Sequence, residues 1–141
     1  MKRSRFVSSS VFIALFLAVL AGFVVTLAAD DQAIGEVMVK IHPENYAGQC
    51  PVTIKFTGVI QVLRYPMTFN YHWERSDGGT GQVHVVRVPS ANTRTVTVVE
   101  TWNVGGNHRR GQTFSVWAKL RVNCGNTHAV STPAVATITC Q

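Results

Sequence analysis

The sequence predicts an all-β fold, a seven-strand antiparallel sandwich behind an N-terminal signal helix, and three observations carry that reading. Apolar residues recur at every second position through much of residues 37–140, which is the period of a half-buried strand, and helical spacing is nearly absent. Turn chemistry rich in Gly, Pro and Asn interrupts this alternation at intervals of roughly a dozen residues, with no helical segment between strands. At the N-terminus, Lys2, Arg3 and Arg5 precede an uncharged apolar stretch over residues 11–29.

That first segment has the three parts of a secretory signal: a positive start, an apolar core, and small residues near its end at Thr26, Ala28 and Ala29. The rival is a retained membrane anchor, since a span takes about 20 apolar residues. Gly22 and the small residues just before Asp30 and Asp31 favour cleavage. The expected organisation is a signal at 1–29 and one β-sandwich domain at 30–141. Contact with a membrane is expected only if the signal segment is retained. No lipobox cysteine or sorting motif is seen, so free secretion is expected.

The strands follow in order. Val37, Val39 and Ile41 alternate with Met38 and Lys40. HPENYAGQCP (42–51), with two prolines and a glycine, reads as a loop. From Val52 to Val62 the even positions are apolar or glycine (Val52, Ile54, Phe56, Gly58, Ile60, Val62), making this the clearest half-buried strand. After a turn at residues 64–66, Phe69, Tyr71 and Trp73 alternate with Asn70, His72 and Glu74. SDGGTG (76–81) is a turn, residues 82–88 form a short strand, and residues 93–104 place Val96, Val98 and Trp102 on one face. GGNHRRG (105–111) is a polar loop. Phe114, Val116, Ala118, Leu120 and Val122 then alternate with Ser115, Trp117, Lys119 and Arg121. CGNTH (124–128) turns the chain, and residues 134–140 close it with Ala136 and Ile138 on the side of Cys140.

Charge excludes one class of function. The chain carries thirteen Lys and Arg against seven Asp and Glu, net +6, but three of the cations lie in the signal segment. The remaining ten against seven leave +3, scattered apart from Arg109 and Arg110. Nucleic-acid binding needs a basic stripe and a recognisable motif, and neither is present. Three cysteines follow the signal: Cys50, Cys124 and Cys140. In an oxidising compartment the expectation is one disulfide and one leftover thiol.

Seven strands with an aromatic run on the third resemble an immunoglobulin-like arrangement, in which the third strand supplies a buried Trp, here Trp73. YAGQCPVTIKFTG (46–58), YHWERSDGGTG (71–81), TWNVGG (101–106) and the terminal TITC (137–140) resemble a bacterial extracellular Ig-like module over nearly all of the exported part. The resemblance implies a secreted or surface protein and pairing of the opening and closing cysteines, Cys50 with Cys140. Cys124 is extra to that pattern, and Cys124 with Cys140, stapling the last hairpin, is the alternative.

No catalytic constellation emerges, and the chain reads as a non-enzyme. There is no GxSxG elbow, and the acids Asp30, Asp31, Glu36, Glu44, Glu74, Asp77 and Glu100 are scattered. Cys124 and His128, four residues apart across a Gly-Asn turn, share a loop. A copper site of that spacing would need a following Met, and the methionines are Met1, Met38 and Met67. No metal or other cofactor is expected.

The outer face of the sixth predicted strand is the candidate site. With even residues 114–122 in the core, Trp117 stands outside between Ser115, Lys119 and Arg121, beside the outward residues of the third strand, Asn70, His72 and Glu74. A one-residue slip would bury both cations, so the register is strongly specified. Trp117, Lys119, Arg121 and His72 are the candidate contact residues, for a protein or glycan at the cell exterior. The bland alternative is that Trp117 packs across its own sheet under the stems of Lys119 and Arg121. The function that follows is an exported binding module. A self-assembling structural subunit, joined through edge strands or Cys124, is the alternative.

Overall fold

Strand β3 (Val52–Val62) sets the architecture. Its even residues Ile54, Phe56, Gly58, Ile60 and Val62 are buried, while Thr53, Lys55 and Gln61 are exposed, so a period of two divides it into a core face and a solvent face. It lies between β1 (Ile34–His42) and β6 (Thr95–Val104), antiparallel to both, in a three-stranded sheet. These features come from a computed structural model that describes residues 32–141. The signal helix expected at 1–29 and the cleavage point near Asp30 lie outside the described residues.

The second sheet runs β2 (Asn45–Gly48), β9 (Ala134–Cys140), β7 (Thr113–Cys124), β4 (Met67–Arg75) and β5 (His84–Val88), with β8 (Thr127–Val130) also on β7. The two sheets close over a core that includes Phe56, Phe69, Trp73, Leu120 and Ile138. The molecule is therefore an all-β sandwich of immunoglobulin-like type. Trp73, 1% exposed, is the buried tryptophan of the third predicted strand, and its ring centroid lies 6.0 Å from that of Phe56.

Each of the seven expected strands is present, and two short ones join them among the described residues. β2 falls inside residues 42–51, read from sequence as a loop, and pairs parallel with β9, Asn45 opposite Thr137 and Gly48 opposite Cys140. Four residues hold no readable period, and their pairing depends on an edge contributed by the far end of the chain. β8 returns from β7 through Gly125 and Asn126, with Cys124 opposite Thr127. Gly125 has φ +56°, which glycine adopts without the penalty a Cβ imposes, and this lets a tight hairpin form.

Candidate functional site

β4 and β7 pair antiparallel with His72 opposite Arg121 and Glu74 opposite Lys119. Directly opposed side chains on one sheet face stand close enough to interact, so this register brings together the polar residues that alternate with the core. All four sequence-predicted contact residues lie on this face, with Trp117 two residues before Lys119 on the same strand.

Glu74 organises the group. Its Oε2 lies 2.8 Å from Lys119 Nζ, and its Oε1 accepts the Nε–H of Arg121 at 2.6 Å. His72 Nε2 is 3.7 Å from the same Oε1. The hydrogen bonds from Lys119 and Arg121 hold the Glu74 carboxyl at about 2, below its ordinary 4.5. Sequence reading placed Glu74 outward but left it out of the contact set. The signal was the cross-strand register, which sets Glu74 opposite Lys119 and diagonal to Arg121.

Trp117 is half-buried. The Lys119 ammonium sits 5.7 Å from its ring centroid, within cation–π range, and Val135 on β9 is its cross-strand partner. Next along the face, Asn123 Nδ2 donates to Asn70 Oδ1 at 3.1 Å, and His128 Nδ1 lies 2.7 Å from Asn123 Oδ1. The face thus presents an aromatic ring at one end, an ionic group of two cations on one carboxylate in the middle, and amides at the other end.

A separate cleft of about 530 Å³ opens where the end of β6 approaches the start of β7. Trp102 and Asn103 line it from β6, Phe114 and Ser115 from β7, and Asn107 and His108 from the intervening loop. The His108 and Phe114 rings stack with centroids 3.6 Å apart. Gly105, at φ +90°, lets this loop pass the disulfide, since a Cβ there would come 2.9 Å from Cys50 Sγ. Residues 105–111 read from sequence only as a loop between two strands, because nothing local shows that those strands belong to different sheets and leave a cleft between their ends.

Cys50 and Cys140 are joined, with Cα atoms 5.3 Å apart, so the alternative bridge from Cys124 to Cys140 is not the one formed. Cys124 remains a thiol whose Sγ lies 3.5 Å from the Thr68 carbonyl oxygen. No group of three or more His, Cys, Asp or Glu side chains suited to hold a metal ion occurs among the described residues.

No family model matches the chain, and no curated protein matches it either. Among solved structures it is similar to the CARDB domain of a Pyrococcus furiosus protein, solved in complex with di-metal ions. The TM-score is 0.53 at 10% identity, over 78% of this chain and 98% of that one. At this identity the likeness bears on fold alone, and it agrees with the two-sheet sandwich built from the strands above.

Proposed function

We propose that this chain is an exported, non-enzymatic Ig-like module that binds a protein or glycan at the cell exterior by surface contact. The observation that carries the reading is the outward β4–β7 face, where half-buried Trp117 lies beside Lys119 on a sheet rigidified from both sides. Aromatic residues on a rigid, partly desolvated face provide contact area at low entropic loss. Export is supported by the signal-like segment at 1–29 and by the Cys50–Cys140 disulfide, a bond that persists in oxidising compartments. Pull-down from a cell-exterior extract with the exported domain and with Trp117→Ser tests the contact face. A partner lost on substitution supports it, and retention of every partner retires it. Intact mass of the secreted product tests export with cleavage, which requires a mass below the 15.4 kDa of the full chain.

One feature favours self-assembly as a second reading. β5 ends the order of its sheet and exposes Val85 at 73%, with Val83 just before it at 58%. An apolar sheet edge is a template for strand pairing. Size-exclusion chromatography under reducing and non-reducing conditions separates the two readings, and also tests Cys124 as a joint between copies.

A further inference from the structure

The cleft between the ends of β6 and β7 has the chemistry of a ligand site, and nothing in the β4–β7 face accounts for it. Its volume lies within the range of about 300–1,000 Å³ typical of small-ligand sites. Its wall is mixed. The His108–Phe114 stack gives apolar surface, Trp102 adds a ring over which the Arg75 guanidinium lies 4.8 Å from the centroid, and Asn107 and Asp77 bring amide and carboxylate groups. Asn103 borders the cleft from the outward side of β6, where its Oδ1 accepts the Thr53 hydroxyl at 2.5 Å. His108 Nδ1 is buried and has no hydrogen-bond partner among the described residues.

Backbone groups add to this set. The Trp117 amide donates to Ser76 Oγ and its carbonyl accepts the Ser76 amide, so both face the line of β4. By the alternation of an antiparallel ladder, the amide and carbonyl of Ser115 face the same way. They lie beyond Arg75–Ala118, the last β4–β7 pair, and Ser115 lines the cleft.

We propose that this cleft binds a neutral oligosaccharide, which rests on the exterior-binding reading above and gives it a ligand class and a binding place separate from the Trp117 face. Asp77 is the one acidic residue of the lining, and Arg75 Nη2 lies 3.3 Å from its carboxylate, so the lining presents no unpaired acid for a cation and no Lys or Arg for an anion. Amides and hydroxyl partners beside an apolar wall suit a sugar, whose hydroxyls need hydrogen bonds and whose C–H face needs apolar contact. An added peptide strand suits it less. Past Ala118 only the first five residues of β7 remain, and alternate ones already pair with β9, which leaves too short an edge for strand addition.

The test is two-dimensional amide and indole NMR of the exported chain titrated with cellotetraose, chitotetraose, maltotetraose and mannotetraose, with an oligogalacturonate as the acidic comparison. The expected result is saturable shifts at the Trp102 indole and at the amides of Gly106, Asn107 and Ser115 with at least one neutral probe, the Trp117 indole staying in place. Asn107→Ala should weaken that binding roughly three- to tenfold, as loss of one hydrogen bond between neutral groups does. Shifts centred on Trp117, Lys119 and Arg121 overturn the cleft while keeping the exterior-binding reading. Preference for the acidic probe overturns the ligand class. Binding undiminished in the combined Asn103→Ala, Asn107→Ala variant, or no binding by any neutral probe, overturns the proposal, and the pull-down with Trp117→Ser then judges the broader reading alone.

Discussion

Arg121 donates its Nε–H to Glu74 Oε1 over 2.6 Å, across the β4–β7 ladder, and Lys119 holds the other oxygen of the same carboxylate. One carboxylate therefore restrains both cations of the candidate contact face, and Lys119 also lies over Trp117. The side chains of the face are thus held in place before any partner arrives, which reduces the ordering a partner must impose.

The pH dependence of this group has a definite sign. Glu74 is held at about 2 in the folded protein against an ordinary 4.5. A depressed carboxylate contributes stability that is fully present above the unfolded value and disappears as pH falls through the folded one. Thermal midpoints measured from pH 5 down to pH 2 (roughly the window these two values set) should fall more steeply for the natural chain than for Glu74→Gln. At neutral pH, Glu74→Gln should lower stability by about 1 kcal/mol, since partly exposed pairs contribute roughly 0.2–1 kcal/mol each. Parallel acid profiles for the two proteins would show that the carboxylate is not held as described.

The two tryptophans on opposite faces of the same sheet should respond very differently. Trp73 is 1% exposed at the centre of the core, and Trp73→Ala should lower stability by about 3–5 kcal/mol. Trp117→Ser removes a half-buried ring from the outer face, with an expected loss of about 1 kcal/mol or less. Urea denaturation of both variants checks the contrast, and similar losses would contradict the assignment of faces.

Removal of the disulfide tests how the ends are tied. Cys50 and Cys140 are 90 residues apart, and in the chain-entropy model a loop of that length contributes about 4.6 kcal/mol. Cys50→Ser with Cys140→Ser should lower the denaturation midpoint in proportion. Non-reducing peptide mapping of the natural chain should recover the peptide containing Cys50 joined to that containing Cys140, with Cys124 available to alkylation once the protein is unfolded.

Gly58 occupies an inward position of β3 where a Cβ would approach Leu120 Cδ2 to 2.6 Å, Val98 Cγ2 to 3.0 Å and Trp73 Cη2 to 3.2 Å. Gly58→Ala should therefore destabilise by about 1–3 kcal/mol through overpacking, although alanine is otherwise acceptable in a strand. Thermal unfolding gives the value. An unchanged midpoint would mean that the core yields around the added methyl group.

Gly58 also shows where sequence legibility ends. The alternation from Val52 to Val62 marks position 58 as inward, but that the glycine leaves room for the Trp73 indole depends on a strand of the other sheet. Strand existence, core face and register at Phe114–Val122 were readable because a period of two is a local property, and a slip of one residue would bury Lys119 and Arg121. Glu74 shows the next level. Its direction was readable, but its hold on Lys119 and Arg121 follows from the 74–119 pairing.

The sequence by itself determined an all-β chain, its long strands, the shared face of Phe69, Tyr71 and Trp73 and the outward placement of Trp117, since each of these follows from side-chain period and the free energy of burying apolar rather than charged groups. Tertiary structure decided the rest: that β2 adds to β9, that Cys50 takes Cys140 as the resemblance implied rather than Cys124 doing so, and that the ends of β6 and β7 flank a cleft with His108 stacked on Phe114. The physical reason is range. Period and propensity act over neighbouring residues, whereas pairing, disulfide geometry and cavities depend on groups that folding brings together from distant parts of the chain.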